Sequence, residues 1–257
     1  MKLSVVIPAR NEEGCLRETV EGVARRLAPE NIPFEIIVAD DNSTDGTARI
    51  CDEMAVQHPW FRVIHRADWP GIGHAIQEGL RNISGEVVAI MMADNSDAPE
   101  DLVSCYRKIA EGYDCVFGSR WIRGSHVYNY PAHKYVLNRM ANNVIRLLFM
   151  IPYDDVTNAF KMYRREVIEG VKPIISHHFN ILAELPLKAI VRGYSYAVIP
   201  ISWTNRKTGV AKLRIREMGS RYAFIVLYAL LEKWLSRQDY HKRHRKRRAD
   251  SPSGPAR

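Results

Sequence analysis

Short apolar segments rich in β-branched residues alternate with segments of helical periodicity over the first 120 residues of the chain. The predicted strands are residues 3–7, 34–40, 61–65, 86–92 and 115–118. Nearly continuous apolar strands separated by helices are typical of a parallel sheet that is covered on both faces. We therefore predict an α/β fold, built as one large domain in a chain of 257 residues of which 46% are hydrophobic.

The pattern changes after residue 120. Residues 132–150 and 179–192 have helical periodicity, residues 194–203 form a predicted strand, and residues 215–235 predict one long helix. This last helix is only loosely amphipathic, so it either packs on the rest of the protein or on another subunit, or lies at a membrane interface. Its apolar stretch is about half of the roughly 20 residues that are needed to span a bilayer.

The net charge of +8 lies mostly at the C-terminus. Residues 241–257 hold seven Lys or Arg against Asp250, so the rest of the chain is almost neutral, and we expect no nucleic-acid partner. A basic segment can contact anionic lipid or keep a disordered end solvated, and the ending SPSGPAR favours disorder. The N-terminal apolar run is too short for a signal peptide, which predicts a cytoplasmic protein.

Unusually polar segments follow three of the predicted strands. They are PARNEE, DDNSTDGT and ADNSDAPED. Because ligands of open α/β sheets bind beyond the carboxyl ends of the strands, we expect these segments to form the site. Crowded carboxylates repel one another, and a bound divalent cation commonly offsets that repulsion. The nucleotide-binding patterns GxGxxG and GxxxxGK[ST] do not occur.

Seven segments between residue 3 and about residue 216 follow one another in a recognisable order. They are VVIPARNEE, EIIVADDNSTDGT, GIGHA, ADNSDAPE, VFGSR, DVTNAFKMYRREVI and the run from Gly193 through IPISWTNRKTGVAKL. In this order they resemble motifs of the family 2 glycosyltransferases of GT-A fold, and within them the dolichyl-phosphate mannose synthase-like branch. The resemblance implies a Rossmann-like nucleotide-diphospho-sugar transferase with a mostly parallel central sheet flanked by helices.

The resemblance also implies which residues bind the nucleotide-sugar donor. It assigns to the donor site Pro8, Arg10, Glu12, Val38, Asp40, Asp41, Met92, Ala93 and Asp94. A carboxylate such as that of Asp40 can accept hydrogen bonds from a base or a ribose hydroxyl. Asp41 can instead support its loop, and the pair can also serve helix capping and turn formation.

Three basic residues complete the implied donor site. Arg120, Arg206 and Lys212 occupy positions at which the family meets a diphosphate or an acceptor phosphate, and we count Arg120 and Arg206 with Asp94 as catalytic. Charge-assisted donors suit phosphoryl oxygens. An ordinary surface ion pair is the alternative for each, above all for Lys212.

The chain departs from the family at the metal-binding DxD motif. Alignment on Pro99 places Met92 at the first aspartate and Asp94 at the second. The third ligand position falls on Ser96, with Asp97 beside it, so the implied metal ligands are Asp94, Ser96 and Asp97. Mg²⁺ or Mn²⁺ tolerates water and substrate phosphates at its other positions, so one carboxylate can suffice. Asp97 can instead cap the helix that follows.

The acceptor decides whether the reaction needs a general base. A sugar hydroxyl needs one within hydrogen-bond reach, whereas a lipid phosphate is already ionised. The chain lacks the short acidic motif of hydroxyl-acceptor relatives, and Glu184 is the one candidate base. We therefore expect an inverting transfer from a GDP- or UDP-sugar to a polyprenyl phosphate such as dolichyl or undecaprenyl phosphate. The alternatives are a hydroxyl-acceptor transferase for cell-surface polysaccharide and a donor-binding pseudoenzyme.

These expectations divide the chain into three parts. Residues 1–213 form the GT-A domain, residues 214–237 an amphipathic helix and residues 238–257 a basic disordered tail. Apolar area next to a basic cluster suits peripheral binding to an anionic membrane, so we place the protein at the inner face of the cytoplasmic membrane. Assembly into a homo-oligomer stays open.

Overall fold

The computed structural model describes residues 1–205 and 215–241. Its strands are β1 Leu3–Ala9, β2 Phe34–Asp41, β3 Phe61–Arg66, β4 Val87–Ile90, β5 Cys115–Ser119, β6 His126–Tyr128, β7 Lys161–Arg164, β8 Tyr196–Pro200 and β9 Ser202–Thr204. Its α-helices are α1 Leu16–Leu27, α2 Thr47–Gln57, α3 Ile72–Arg81, α4 Glu100–Ala110, α5 Ala132–Phe149, α6 Arg165–Gly170, α7 Ile181–Val191, α8 Ile215–Leu235 and α9 Arg237–Tyr240. The prediction of an α/β fold is confirmed.

Seven strands form the central sheet in the order β3-β2-β1-β4-β7-β5-β8. Every neighbouring pair is parallel except the two pairs that involve β7, which runs antiparallel to both β4 and β5. Buried apolar side chains form one core cluster on each face of the sheet. A sheet buried on both faces explains why its strands read as continuous apolar runs.

The register aligns the carboxyl ends of the first strands at one edge. Ala9 of β1 pairs with Asp40 of β2, and Asp40 pairs with His65 of β3. On the other side of β1, Val6 pairs with Ile90, the last residue of β4. The polar segments that follow β1, β2 and β4 therefore begin side by side.

Several predicted boundaries were wrong. The strand predicted for residues 86–92 ends at Ile90, because the chain then turns into the loop of Asp94. The strand predicted for residues 194–203 is two strands, since the chain leaves the main sheet at Ile201 and β9 pairs with β6 in a separate two-stranded sheet. Strands β6 and β7 had no predicted counterpart, because each has only three or four residues and β7 begins with a lysine.

The long helix predicted for residues 215–235 is present with those bounds as α8. It packs on α7 and α5, and its Ile225 and Ala229 are buried in the core cluster that includes residues of both helices. A buried ion pair joins α7 and α8, with Arg192 Nε donating to Glu232 Oε1 at 2.6 Å. Within the described ranges, no helix has both the length and the apolar character required to cross a bilayer.

Candidate active site at the carboxyl edge of the sheet

The loops that follow β1, β2 and β4 each contain an asparagine in the left-handed backbone region. These are Asn11 (φ 51°), Asn42 (φ 58°) and Asn95 (φ 58°). Asparagine tolerates this conformation better than other residues with a side chain, because its amide can form local hydrogen bonds. Each loop therefore turns sharply where its strand ends.

Reciprocal hydrogen bonds join the first two loops. Asn11 N donates to Ser43 Oγ at 3.0 Å, and Thr44 N donates to Asn11 Oδ1 at 2.7 Å. Gly46 N donates to Glu13 Oε2 at 2.6 Å. The polar residues of PARNEE and DDNSTDGT thus stabilise one another before any ligand binds.

Asp40 lies at the end of β2 and is hydrogen-bonded on both carboxylate oxygens. Ser43 N donates to Oδ1 at 3.2 Å, and His65 Nδ1 lies 2.9 Å from Oδ2. Burial favours neutral His65, but the carboxylates of Asp40 and Asp52 outweigh this effect and raise its pKa. Asp40 is therefore positioned by its own loop and by the neighbouring strand.

Asp41 supports the loop between β3 and α3. A supporting role of this kind was the alternative to donor binding that the sequence left open for Asp41. Its carboxylate pairs with Arg66 at the end of β3 and accepts a hydrogen bond from Gly71 N at 2.7 Å. A Cβ atom at Gly71 would lie 2.5 Å from His177 O, so only glycine fits there. Asp41 thereby fixes the start of α3 against residues 176–178.

Asp94 and its neighbours form a tight buried loop after β4. Ser96 donates to Asp94 Oδ1 from both its backbone N (3.2 Å) and its hydroxyl (2.5 Å). Asp97 Oδ2 instead accepts from Met92 N at 3.1 Å. Burial, together with the nearby charge of Asp94, raises the pKa of Asp97 to about 7. Both carboxyls thus hold the loop, Asp94 through Ser96 and Asp97 through Met92.

Arg120 has a partner that the sequence did not suggest. It follows β5 and forms a bidentate pair with the fully buried Asp155, with both nitrogen–oxygen distances 2.8 Å. Its guanidinium also lies 5.3 to 5.7 Å from the ring centres of Trp121, Tyr130 and Trp203. Burial opposes its charge, but Asp155 outweighs that effect and raises the pKa of Arg120.

Further charged residues lie near Arg120 and were not expected from the sequence. Arg139 of α5 donates to Asp154 Oδ2 at 3.2 Å and lies 5.7 Å from the ring centre of Trp121. Burial lowers the pKa of Lys161 to about 7, although Asp155 acts against that shift. The DVTNAFKMYRREVI motif, which begins at Asp155, indicated that this segment belongs to the family pattern. Nothing in the sequence indicated that Arg120 would pair with Asp155.

The other predicted donor residues have different placements. Pro8, Val38 and Ala93 are buried, and the side chains of Val38 and Ala93 belong to the core, so only their backbones can meet a ligand. Met92 is partly buried beside the other core cluster. The rest are at the loop surface, with Arg10 exposed and Glu12 half-buried. Arg206 and Lys212 lie outside the described residues.

Comparison with known proteins identifies the family. The sequence model described as "Glycosyl transferase family 2" matches residues 4–171. The chain belongs to this family. It is 34% identical over 216 residues to the polyprenol monophosphomannose synthase of Mycolicibacterium smegmatis, a match that covers 81% of this chain and 80% of that protein. It is also 34% identical over 221 residues to the dolichol-phosphate mannosyltransferase of Pyrococcus furiosus, covering 83% of this chain and 60% of that protein.

The fold of this family 2 glycosyltransferase is also found among solved structures. It matches the glucosyl-3-phosphoglycerate synthase of Mycobacterium tuberculosis, crystallised with Mn²⁺, UDP and glucosyl-3-phosphoglycerate, with a TM-score of 0.67. The two share 18% sequence identity, and the match covers 90% of this chain and 79% of that one. The GT-A fold expected from the sequence motifs is confirmed.

The predicted metal ligands of this family 2 glycosyltransferase offer one donor set in the loop after β4. In the parts of the chain that the structure describes, no group of three His, Cys, Asp or Glu side chains is arranged to hold a metal ion. The donor set at the loop is a carboxylate, Asp94, with the Ser96 hydroxyl bonded to it. Such a set fits a hard cation that takes most of its ligands from a diphosphate and water.

Glu184, the candidate general base, is buried in this glycosyltransferase and bonded to groups of the protein itself. It is fully buried and accepts hydrogen bonds from Ile175 N (2.9 Å), Ser176 N (2.8 Å) and Lys188 Nζ (2.5 Å). Lys188 is also buried and donates to Pro173 O at 2.5 Å. The pair therefore holds the segment before α7, which packs against the start of α3.

Replacing Glu184 with alanine is expected to destabilise the fold while donor affinity stays unchanged. The change leaves the ammonium of Lys188 buried without a counter-charge, which costs about 3–5 kcal/mol of the free energy of unfolding. Urea unfolding measures that cost, and the double variant Glu184→Gln, Lys188→Met is the control that should recover most of it. A Glu184→Gln protein that keeps wild-type stability and yet transfers no sugar would make Glu184 a catalytic base.

Proposed function

We propose that this enzyme transfers a sugar, with inversion, from a GDP- or UDP-sugar to a polyprenyl phosphate. The names of the two curated relatives support this acceptor, since one is a polyprenol monophosphomannose synthase and the other a dolichol-phosphate mannosyltransferase. The similarity to the first extends over most of both chains. Residues 1–213 would carry this reaction.

The observation that carries the proposal is the position of Arg120 beside the loop of Asp94. Asp97 of that loop forms a β-bridge with Trp203, whose ring is one of the three around Arg120. A guanidinium and a cation-binding carboxylate next to each other suit two phosphate groups, one on the donor and one on the acceptor. An ionised acceptor phosphate attacks the anomeric carbon without a general base, in keeping with the burial of Glu184.

We propose that Mg²⁺ or Mn²⁺ binds at Asp94 and Ser96 together with the donor diphosphate. The cation would neutralise charge that develops on the departing nucleotide diphosphate. Asp97 stays a predicted metal ligand, but a weaker one than Asp94 or Ser96, because its carboxyl already accepts a hydrogen bond from Met92 N. In this arrangement Asp40, Arg10 and Glu12 surround the nucleoside, with the backbones of Pro8, Val38, Met92 and Ala93. Asp41 supports the neighbouring loop through Arg66 and Gly71. Arg206 and Lys212 remain proposed phosphate contacts.

We place the enzyme at the inner face of the cytoplasmic membrane, because its proposed acceptor is a lipid. Residues 214–237 and the basic residues 238–257 are the proposed peripheral contact. Apolar area and cationic side chains together bind anionic bilayers more tightly than either does alone.

A transfer assay with purified protein tests the proposal. Radiolabelled GDP- and UDP-sugars are incubated with undecaprenyl phosphate or with a panel of sugar-hydroxyl acceptors, each with and without Mn²⁺. We expect Mn²⁺-dependent sugar transfer to undecaprenyl phosphate and no transfer to the sugar-hydroxyl acceptors. Product on a sugar hydroxyl would favour the polysaccharide alternative. Calorimetric donor binding without any product would favour the pseudoenzyme.

A further inference from the structure

His65, near the end of β3, bridges two carboxylates that belong to different elements. Its Nδ1 lies 2.9 Å from Asp40 Oδ2, and its Nε2 lies 3.0 Å from Asp52 Oδ1. Asp40 is part of β2, whereas Asp52 lies in the middle of α2. The side chain of Asp40 is only 5% exposed and that of Asp52 is 66% exposed. The ring therefore connects a buried carboxylate of the candidate site to a carboxylate at the protein surface.

The geometry of this bridge requires a doubly protonated ring. A neutral imidazole has one N–H and one lone pair, so it can donate to only one of the two carboxylates. Its other nitrogen would then direct a lone pair at a carboxylate oxygen, which is repulsive. An imidazolium donates from both nitrogens and satisfies Asp40 and Asp52 together. Burial opposes the charged ring, but the hydrogen bonds to both carboxylates outweigh burial and raise the pKa of His65.

His65 lies on the face of β3 that packs against α2. Val63, two residues earlier on the same face, packs against the core cluster that contains Cys51 of α2. Burial and the charges of Asp40 and Asp52 raise the pKa of the Cys51 thiol to about 12, so this thiol is uncharged near neutral pH. The charge on His65 is therefore set by the two carboxylates that it bridges.

The charged groups on the other face of β3 form a separate pair. Ile64 and Arg66 belong to that face, and Ile64 packs against the core cluster that lies under α3. Arg66 pairs there with Asp41. Because neighbouring strand residues point to opposite faces of the sheet, the pair of Arg66 and Asp41 is distinct from that of His65 and Asp40.

The bridge determines how Asp40 can meet a nucleoside. Ser43 N donates to Asp40 Oδ1 at 3.2 Å, and His65 donates to Oδ2. A carboxylate oxygen can accept two hydrogen bonds, so both oxygens keep capacity for a base N–H or a ribose hydroxyl. The imidazolium also offsets one of the two carboxylate charges beside the site, which favours an anionic nucleotide.

We infer that His65, as an imidazolium, is a positioning residue for the donor: it holds Asp40 in place for the nucleoside and makes donor affinity depend on pH. This inference rests on the proposed function. As the pH rises through the pKa of His65, the ring loses one proton and one of its two hydrogen bonds. The site then carries one more negative charge, so donor affinity should fall. A merely structural clamp between β3 and α2 would change stability alone.

Calorimetric titration of the full-length protein with GDP and UDP, in the presence of Mn²⁺ and at a series of pH values, tests the inference. We expect wild-type affinity to weaken about 5-fold across the pKa of His65, the difference between a charge-assisted hydrogen bond and a neutral one. Asp52→Asn removes the outer carboxylate and lowers the pKa of His65, so it should move this transition to lower pH. His65→Gln should bind weakly throughout and lack the transition. The matched control, His58→Gln, changes the histidine that follows α2 and should keep the wild-type profile.

The protonation of His65 provides an independent readout. NMR titration of the donor-free protein should place the proton loss of His65 at the pH of the affinity transition, both in the wild type and in Asp52→Asn. Burial raises the pKa of Asp97 to about 7, but Asp97 is unchanged in every variant, so it cannot shift the transition between them. Because Asp52 is exposed, Asp52→Asn should fold even if His65→Gln does not.

The outcomes separate this inference from its alternatives. A transition at the same pH in Asp52→Asn and the wild type, or one that persists in His65→Gln, would overturn it. A lower melting temperature of His65→Gln with unchanged donor affinity would make His65 a structural clamp instead. Donor binding that follows the protonation of His65, but without transfer to a lipid phosphate, would contradict the proposed function and leave the positioning role intact.

Discussion

Replacing Asp94 with alanine is expected to lower kcat/KM for sugar transfer by about 10³-fold, the effect typical of removing a main electrostatic contact to a transition state. By its alignment with the family motif, Asp94 is the sole carboxylate retained from the DxD pair. Its Oδ1 also accepts from Ser96 N at 3.2 Å, whereas Asp97 accepts from Met92 N. Loss of its charge should also eliminate the Mn²⁺ dependence of donor binding, which calorimetry with UDP- and GDP-sugars measures.

Two further variants sharpen this test. Asp94→Asn keeps an oxygen that can accept from Ser96, so a similar loss of activity would assign the effect to charge rather than to loop structure. Met92→Asp restores a carboxylate at the position of the first family aspartate and is expected to strengthen Mn²⁺ binding. Full activity of Asp94→Ala would contradict the metal assignment of this loop.

Replacing Asp155 with alanine is expected to lower the free energy of unfolding by about 3–5 kcal/mol, because it leaves the buried guanidinium of Arg120 without its counter-charge. Asp155 accepts three hydrogen bonds from Arg120, including one from the backbone nitrogen at 3.0 Å. The loss would free Arg120 from its bidentate partner, so we also expect activity to fall. Urea unfolding and the transfer assay measure the two effects separately.

The control for this prediction is an exposed pair of the same kind. Arg49 pairs with Glu53 on the surface of α2, and Arg49→Ala should change the free energy of unfolding by less than about 1 kcal/mol. Arg120→Lys keeps the positive charge but loses the bidentate hydrogen bonds to Asp155. We expect this variant to be stable enough to assay and to lose activity. Wild-type stability of Asp155→Ala would mean that water reaches Arg120 and that the pair is not a structural unit.

The sequence was sufficient for the fold because its local patterns agree with the tertiary structure. Strands β1 to β5 are apolar runs because both faces of the sheet are buried, and burial is visible in composition. The polar loops after β1, β2 and β4 could be expected to converge, since parallel strands end at the same edge. The sequence did not predict the short strands correctly, because strands that bury few apolar side chains have no apolar run to mark them. Strands β6 and β9 form a separate two-stranded sheet in which none of the six residues is buried, so they leave no apolar run in the sequence.

The sequence by itself therefore determined the α/β class, the family and the edge of the sheet at which the polar loops meet. It also determined that Asp94 stands without the first aspartate of the DxD pair. The tertiary structure alone decided which charged groups meet, because Arg120 and Asp155 are 35 residues apart and no local pattern connects them. It likewise decided the orientation of helix α5, which the sequence predicted only as a helix. Asn138 and Asn142 of α5 face inward because Trp121 Nε1 donates to Asn138 and Thr157 Oγ1 accepts from Asn142.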